Sequence, residues 1–157
     1  MQKMVISLWF NGNAEEAVNF YVSTFQNAKI NQIAYYTEAG PGEPGSVLTL
    51  SFSLDGQEFI AINAGDEFQF TPAISILVNC DSQAEVDYYW EILAAGGEVM
   101  PCGWVTDRYG LTWQIVPAQL DALMTDPDPK KAAAVTRAML QMVKLDMAQL
   151  QAAYDQV

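Results

Sequence analysis

Residues 6–25 read ISLWFNGNAEEAVNFYVSTF and residues 74–97 read ISILVNCDSQAEVDYYWEILAAGG, and these two stretches decide the fold. Each opens on a short apolar run of strand character. A polar turn with a capping residue follows (Asn11-Gly12-Asn13 in one, Asp81-Ser82 in the other), and then apolar side chains recur at helical spacing. Laying residue 6 on residue 74 puts ISLWFN on ISILVN, Val18 on Val86 and Tyr21 on Tyr89. Matching element order together with these identities implies a tandem module.

Outward from the first copy, extended segments are expected at about 29–37, 46–54 and 57–63. They are separated by the loop AGPGEPG (39–45) and by Asp55-Gly56, a favoured two-residue hairpin turn. Outward from the second, Gly96-Gly97 closes the helix, and shorter strands follow near 98–102, 103–107 and 111–117. The expectation is an α+β chain with two βαβββ modules, about 1–68 and 69–118, in one domain over 1–118. Residues 119–157 form a C-terminal helical extension. There Pro127 and Pro129 break one helix, Asp128 can cap another, and residues 130–154 read as one long helix. Ala133, Leu140, Val143, Met147, Leu150 and Tyr154 would form its apolar stripe, covered either by the chain's own sheet or by a second subunit.

Composition excludes several functions. The 157 residues are enough for an ordinary domain without a metal or disulfide staple. The formal charge of −12, with only seven Lys and Arg, argues against nucleic acid and anionic membranes, where phosphates must be neutralised. No apolar run approaches the roughly 20 residues that cross a bilayer. The opening MQKMVISLWF lacks the parts of a signal peptide, so the expected location is cytoplasmic. Cys80 and Cys102 match no CxxC spacing and read as two reduced thiols. There is no histidine, which removes His bases, Ser-His and Cys-His dyads and every His-containing metal site.

The segments FNGNAEEAVNFY (10–21), LDGQEFIAINAG (54–65), FTPAISILVNCDSQAEVDYYW (70–90) and CGWVTDRYGLTWQIVP (102–117) resemble, in the correct order, the PhnB-like branch of the vicinal-oxygen-chelate superfamily. The resemblance covers about residues 4–117; CGW-x-x-D-x-x-G-x-x-WQIVP is its most specific part. Members often carry the label 3-demethylubiquinone-9 3-methyltransferase. The resemblance implies a glyoxalase-like fold of cupped mixed sheets and, by common habit of the superfamily, a homodimer. Metal-using members hold a divalent ion at four symmetry-related inner positions. Those fall here at Ile6 or Ser7, near Ala61 or Asn63, at Ser75 and at Gln114. None supplies an imidazole, thiolate or carboxylate, so no metal is expected. No strand runs into a Gly-rich turn able to cradle a nucleotide-like group, so no cofactor is expected either.

Period-two alternation then selects the side chains facing the cup. With Ile6, Leu8 and Phe10 under the first helix, Ser7 and Trp9 face inward, and with Ile74, Ile76 and Val78 packed, Ser75 and Leu77 do. The same rule selects Thr49 and Ser51, Ala61 and Asn63, and Thr112 and Gln114. The expected ligand set is Ser7, Trp9, Thr49, Ser51, Asn63, Ser75, Trp104 and Gln114, suited to a neutral polar or planar ligand. Asn63 and Gln114 either orient a ligand oxygen or satisfy each other or a buried water. Trp113 is expected to point toward a helix. Asp107, ahead of Tyr109-Gly110, is read as a local turn residue. Glu15 and Glu16 need only the helix dipole. Three functions remain: a small-molecule binding protein of the bleomycin-resistance kind, a metal-independent isomerase or lyase acting on a small oxygenated metabolite, and a structural dimer.

Overall fold

Leu8 and Phe10 are buried and Trp9 between them is half-open, so residues 6–10 already separate a core face from an outer face. The computed structural model describes residues 2–157. The chain divides into two compact units, the first ending at Gln69 and the second running from Phe70 to Val157.

In the first unit β1 (Ile6–Phe10) leads into α1 (Ala14–Thr24), followed by β2 (Lys29–Tyr35), β3 (Val47–Leu54) and β4 (Gln57–Asn63). The sheet order is β1-β4-β3-β2, with β1 parallel to β4 and the other pairs antiparallel. Asp55 and Gly56 both take positive φ, 45° and 84°, as the tight β3–β4 hairpin requires. Under α1 the Tyr21 and Phe52 rings lie 6.5 Å apart and the Phe52 and Phe59 rings 5.2 Å apart, both stacked. Leu8, Val18, Leu50 and Ala61 fill in around them.

The second unit repeats the order with β5 (Ile76–Cys80), α2 (Gln83–Ala94), β6 (Glu98–Val99), β7 (Trp104–Thr106) and β8 (Thr112–Pro117), in sheet order β5-β8-β7-β6. Ser82 Oγ accepts from the Glu85 N–H at 3.2 Å, while Glu85 Oε2 accepts from the Asp81 N–H at 2.7 Å, which fixes the start of α2. At its other end Gly96 supplies a φ of +78°. Gly97 lets the chain pass so close to β7 that a Cβ there would sit 2.0 Å from the Thr106 carbonyl oxygen.

Three expectations are corrected. First, the strand preceding α2 starts only at Ile76, and Ile74 is 74 % exposed instead of packed. Second, Asn13 caps nothing with its side chain; the Ala14 N–H donates instead to Asn63 Oδ1 at 2.9 Å. Third, residues 130–154 are not one helix. The extension holds α3 (Leu120–Met124), α4 (Pro129–Met139) and α5 (Met147–Asp155). Between α4 and α5 the chain tightens into i→i−3 turns, Gln141 N–H to Ala138 O and Met142 N–H to Met139 O. Asp146 then caps α5 by accepting from the Gln149 N–H at 2.9 Å. The break shifts the helical phase. Leu140 and Val143 are exposed, whereas Leu120, Val135, Leu145 and Leu150 form the buried cluster. That cluster is packed within the second unit, against Val116, Leu123, Met124, Ala138, Met139, Met142 and Tyr154. Asp128 does cap α4, accepting from the Lys130 N–H at 2.9 Å.

Candidate functional site

Strand register decides which side chains share a face. In the first unit Ser7 and Ser51 both pair with Ile60, and Trp9 and Thr49 both pair with Ile62, so these four residues lie on the face away from α1. Trp9 donates its indole N–H to the Gly65 carbonyl at 2.9 Å and receives Phe68 edge-on at 5.0 Å. Ala61 and Asn63, expected on this face, lie on the other. Ala61 pairs with buried Leu8 and Leu50, and Asn63 pairs with buried Phe10. Alternation within β4 was sound, but its phase was set one residue off; the hairpin register alone fixes that phase. The two ends of the Asn63 amide are both engaged, Oδ1 at the start of α1 and Nδ2 on the Val47 carbonyl at 3.1 Å.

In the second unit Leu77, Gln114 and Trp104 are cross-strand neighbours, since Gln114 pairs with Leu77 on one side and Trp104 on the other. They floor an open cleft of about 700 Å³ together with Asn79 and Val116. Leu120, Asp121 and Met124 of the α3 region and Met139 of α4 wall it, and Cys102 stands at its edge. Gln114 is half-buried and donates its Nε2–H to Ser75 Oγ at 2.8 Å. That bond orients the amide and leaves its oxygen able to accept from a ligand. Of the side chains expected to bind, the cleft lining includes Trp104 and Gln114, with Ser75 tied to Gln114. Asn79 follows from the same alternation once β5 is carried to Cys80. Of the wall residues, Leu120, Asp121 and Met124 precede the helix expected over 130–154, and Met139 lies off that helix's expected apolar stripe.

The opposite face of β8 is structural. Trp113 is 1 % exposed and donates its indole N–H to Asp107 Oδ2 at 2.8 Å. Asp107 Oδ1 accepts from the Tyr109 and Leu111 amides at 2.8 and 3.1 Å. This carboxylate is buried and occupied by the turn it organises. Burial, reinforced by Glu85 and Asp81, pushes the Cys80 thiol up to about 12, so it stays neutral at physiological pH.

The positions that the resemblance implies for a metal hold Ile6 or Ser7, Ala61 or Asn63, Ser75 and Gln114, which offer at most hydroxyls and amides. They do not fit a divalent ion, which draws on several carboxylates, imidazoles or thiolates. Among the described residues no three Cys, Asp or Glu converge on one point. None of their helices is long and apolar enough to cross a membrane.

The family model described as 3-demethylubiquinone-9 3-methyltransferase matches residues 2–116. Among solved structures, the PhnB protein of Bacillus cereus is 40 % identical with a TM-score of 0.66, over 72 % of this chain and 97 % of that one. A Pseudomonas aeruginosa protein is 22 % identical with a TM-score of 0.61, over 72 % and 95 %. A mutant of the fosfomycin resistance protein FosX from Listeria monocytogenes, complexed with Mn(II) and a dihydroxypropylphosphonic acid, is 20 % identical with a TM-score of 0.50, over 72 % and 90 %. The latter two share the fold alone. No curated protein matches the chain.

Proposed function

We propose, on the premise that this chain belongs to the 3-demethylubiquinone-9 3-methyltransferase family, the PhnB-like branch of the glyoxalase or vicinal-oxygen-chelate superfamily, that it binds a small uncharged molecule without a metal ion. The ligand occupies the second unit's cleft. One observation carries the reading: Gln114, held by Ser75 at 2.8 Å, lies beside the half-buried Trp104 on the cleft floor. An oriented amide next to an aromatic face suits a planar polar ligand, with the amide fixing direction and the ring supplying contact area.

The lining favours binding over chemistry. Asp121 and Cys102 are the ionisable side chains of its lining, and the chain has no histidine to pair with either as a general base. Ser7, Trp9, Thr49 and Ser51 form a separate polar and aromatic surface of the first unit. Asn63 leaves the ligand set, since its amide serves the start of α1.

A metabolite library screened by thermal shift, with and without divalent ions, tests the proposal. A metabolite, and not a metal alone, should raise the melting temperature. For that metabolite Gln114→Ala should weaken binding about tenfold, the scale of one lost hydrogen bond. Unchanged affinity in the variant would remove the cleft floor from the site. Stabilisation by a divalent ion alone would defeat the metal-free reading, and turnover of the metabolite on long incubation would replace binding by catalysis.

A further inference from the structure

The family match stops at Val116, yet the cleft does not: Leu120, Asp121, Met124 and Met139 all come after it. We infer that the C-terminal extension is the specificity wall of this cleft, and that the ligand of this chain carries an apolar body beyond the polar group that Gln114 engages. The inference rests on the cleft being the ligand site. It goes further in naming a ligand class and in assigning a role to residues outside the shared domain.

The wall is fixed in place from several directions. The Cys102 and Gly103 amides, in a turn with φ of 63° and 82°, donate to the Met142 and Val143 carbonyls at 2.9 and 2.7 Å. Gln83 of α2 donates to the Leu145 carbonyl at 3.2 Å and accepts from the Met147 N–H at 2.8 Å. Tyr154 O–H donates to Asp126 Oδ2 at 2.7 Å, tying α5 to the loop between α3 and α4. Beneath these bonds lies the Leu120, Val135, Leu145 and Leu150 cluster, against which Met124 and Met139 pack. The two methionines therefore stand on a supported surface.

Their chemistry selects the ligand. Methionine is unbranched and polarisable, so a pair of them adapts to aliphatic chains and to ring edges alike. Among the lining residues there is no Lys or Arg to neutralise a carboxylate or phosphate, and Asp121 repels one. An uncharged molecule with an amide-like or carbonyl head and an apolar tail satisfies both ends. Each methylene buried on the wall should add roughly fourfold in affinity.

The test uses the full chain labelled with 13C at methionine methyls and 15N at side-chain amides and indoles, titrated with benzamide and with 4-butylbenzamide. Benzamide should shift the Gln114 amide and the Trp104 indole. The butyl compound should also shift the Met124 and Met139 methyls, leave Met4 unmoved, and bind at least about tenfold tighter, a gain that Met139→Ala should largely abolish. Shifts at Gln114 and Trp104 with both methionines silent, or equal affinity for the two probes, would overturn the wall and leave the cleft reading standing. Silence at all four residues with both probes would overturn the cleft reading as well.

Discussion

Asp107 shows how much of this chain's polar chemistry is structural. Its buried carboxylate takes the Tyr109 and Leu111 amides and the Trp113 indole, so removing it strands the buried Leu111 and Trp113 donors and the half-buried Tyr109 amide. We predict that Asp107→Ala costs about 3 kcal/mol or more, read by urea denaturation and accompanied by a change in Trp113 emission. A loss under about 1 kcal/mol would mean that the turn holds itself. At this scale the sequence was legible where a residue answers to its immediate neighbours. Asp107 ahead of Tyr109-Gly110 reads as a turn, and Trp113 beside Gln114 reads as pointing to a helix. It was not legible where facing depends on a partner strand. Asn63 and Ala61 alternate correctly with their neighbours, but which set meets α1 is fixed only by pairing with Phe10 and Leu8.

Helices and strands were recovered in order through β8, because caps, hairpin turns and period-two runs are local signals. The single terminal helix expected over 130–154 is interrupted by a local signal in the sequence itself. Leu145-Asp146-Met147-Ala148-Gln149-Leu150 contains its own start signal, with Asp146 accepting from the Gln149 N–H and Gln149 Nε2 returning to Asp146 Oδ2 at 3.1 Å. Leu145 and Leu150 close over it in the buried cluster as a hydrophobic staple. A continuous apolar pattern outweighed that signal. We predict that Asp146→Ala destabilises the second unit by about 1 kcal/mol, while Asp146→Asn retains most of the capping; equal losses in the two variants, or none, would contradict this. The Asp146 carboxyl is held below its ordinary range chiefly by the Gln149 backbone bond. Because the folded-state value is depressed, its contribution is full above the unfolded value of 3.8 and disappears as pH falls through the folded one.

Across the whole molecule, the tandem repeat was legible because both copies spell the same element order, and each observed sheet carries the same strand arrangement. The extension's contribution to the cleft was hidden, since a wall made of two helices and a turn leaves no periodic trace in one dimension. Net charge acts at this scale too. With nineteen acidic and seven basic side chains the folded state repels itself. Raising NaCl from 10 to 150 mM should lift the melting temperature by about 3 °C or more, and a flat or falling response would show that self-repulsion is negligible. The modules also differ in how their helices begin. α2 carries its cap in Ser82, three residues from the amide it serves, and so can nucleate alone. α1 borrows its acceptor from Asn63, 49 residues downstream, so its first turn is completed only after β4 has joined β1. The first module therefore assembles all at once, and the Ala14 amide should exchange with solvent only when that module opens as a whole.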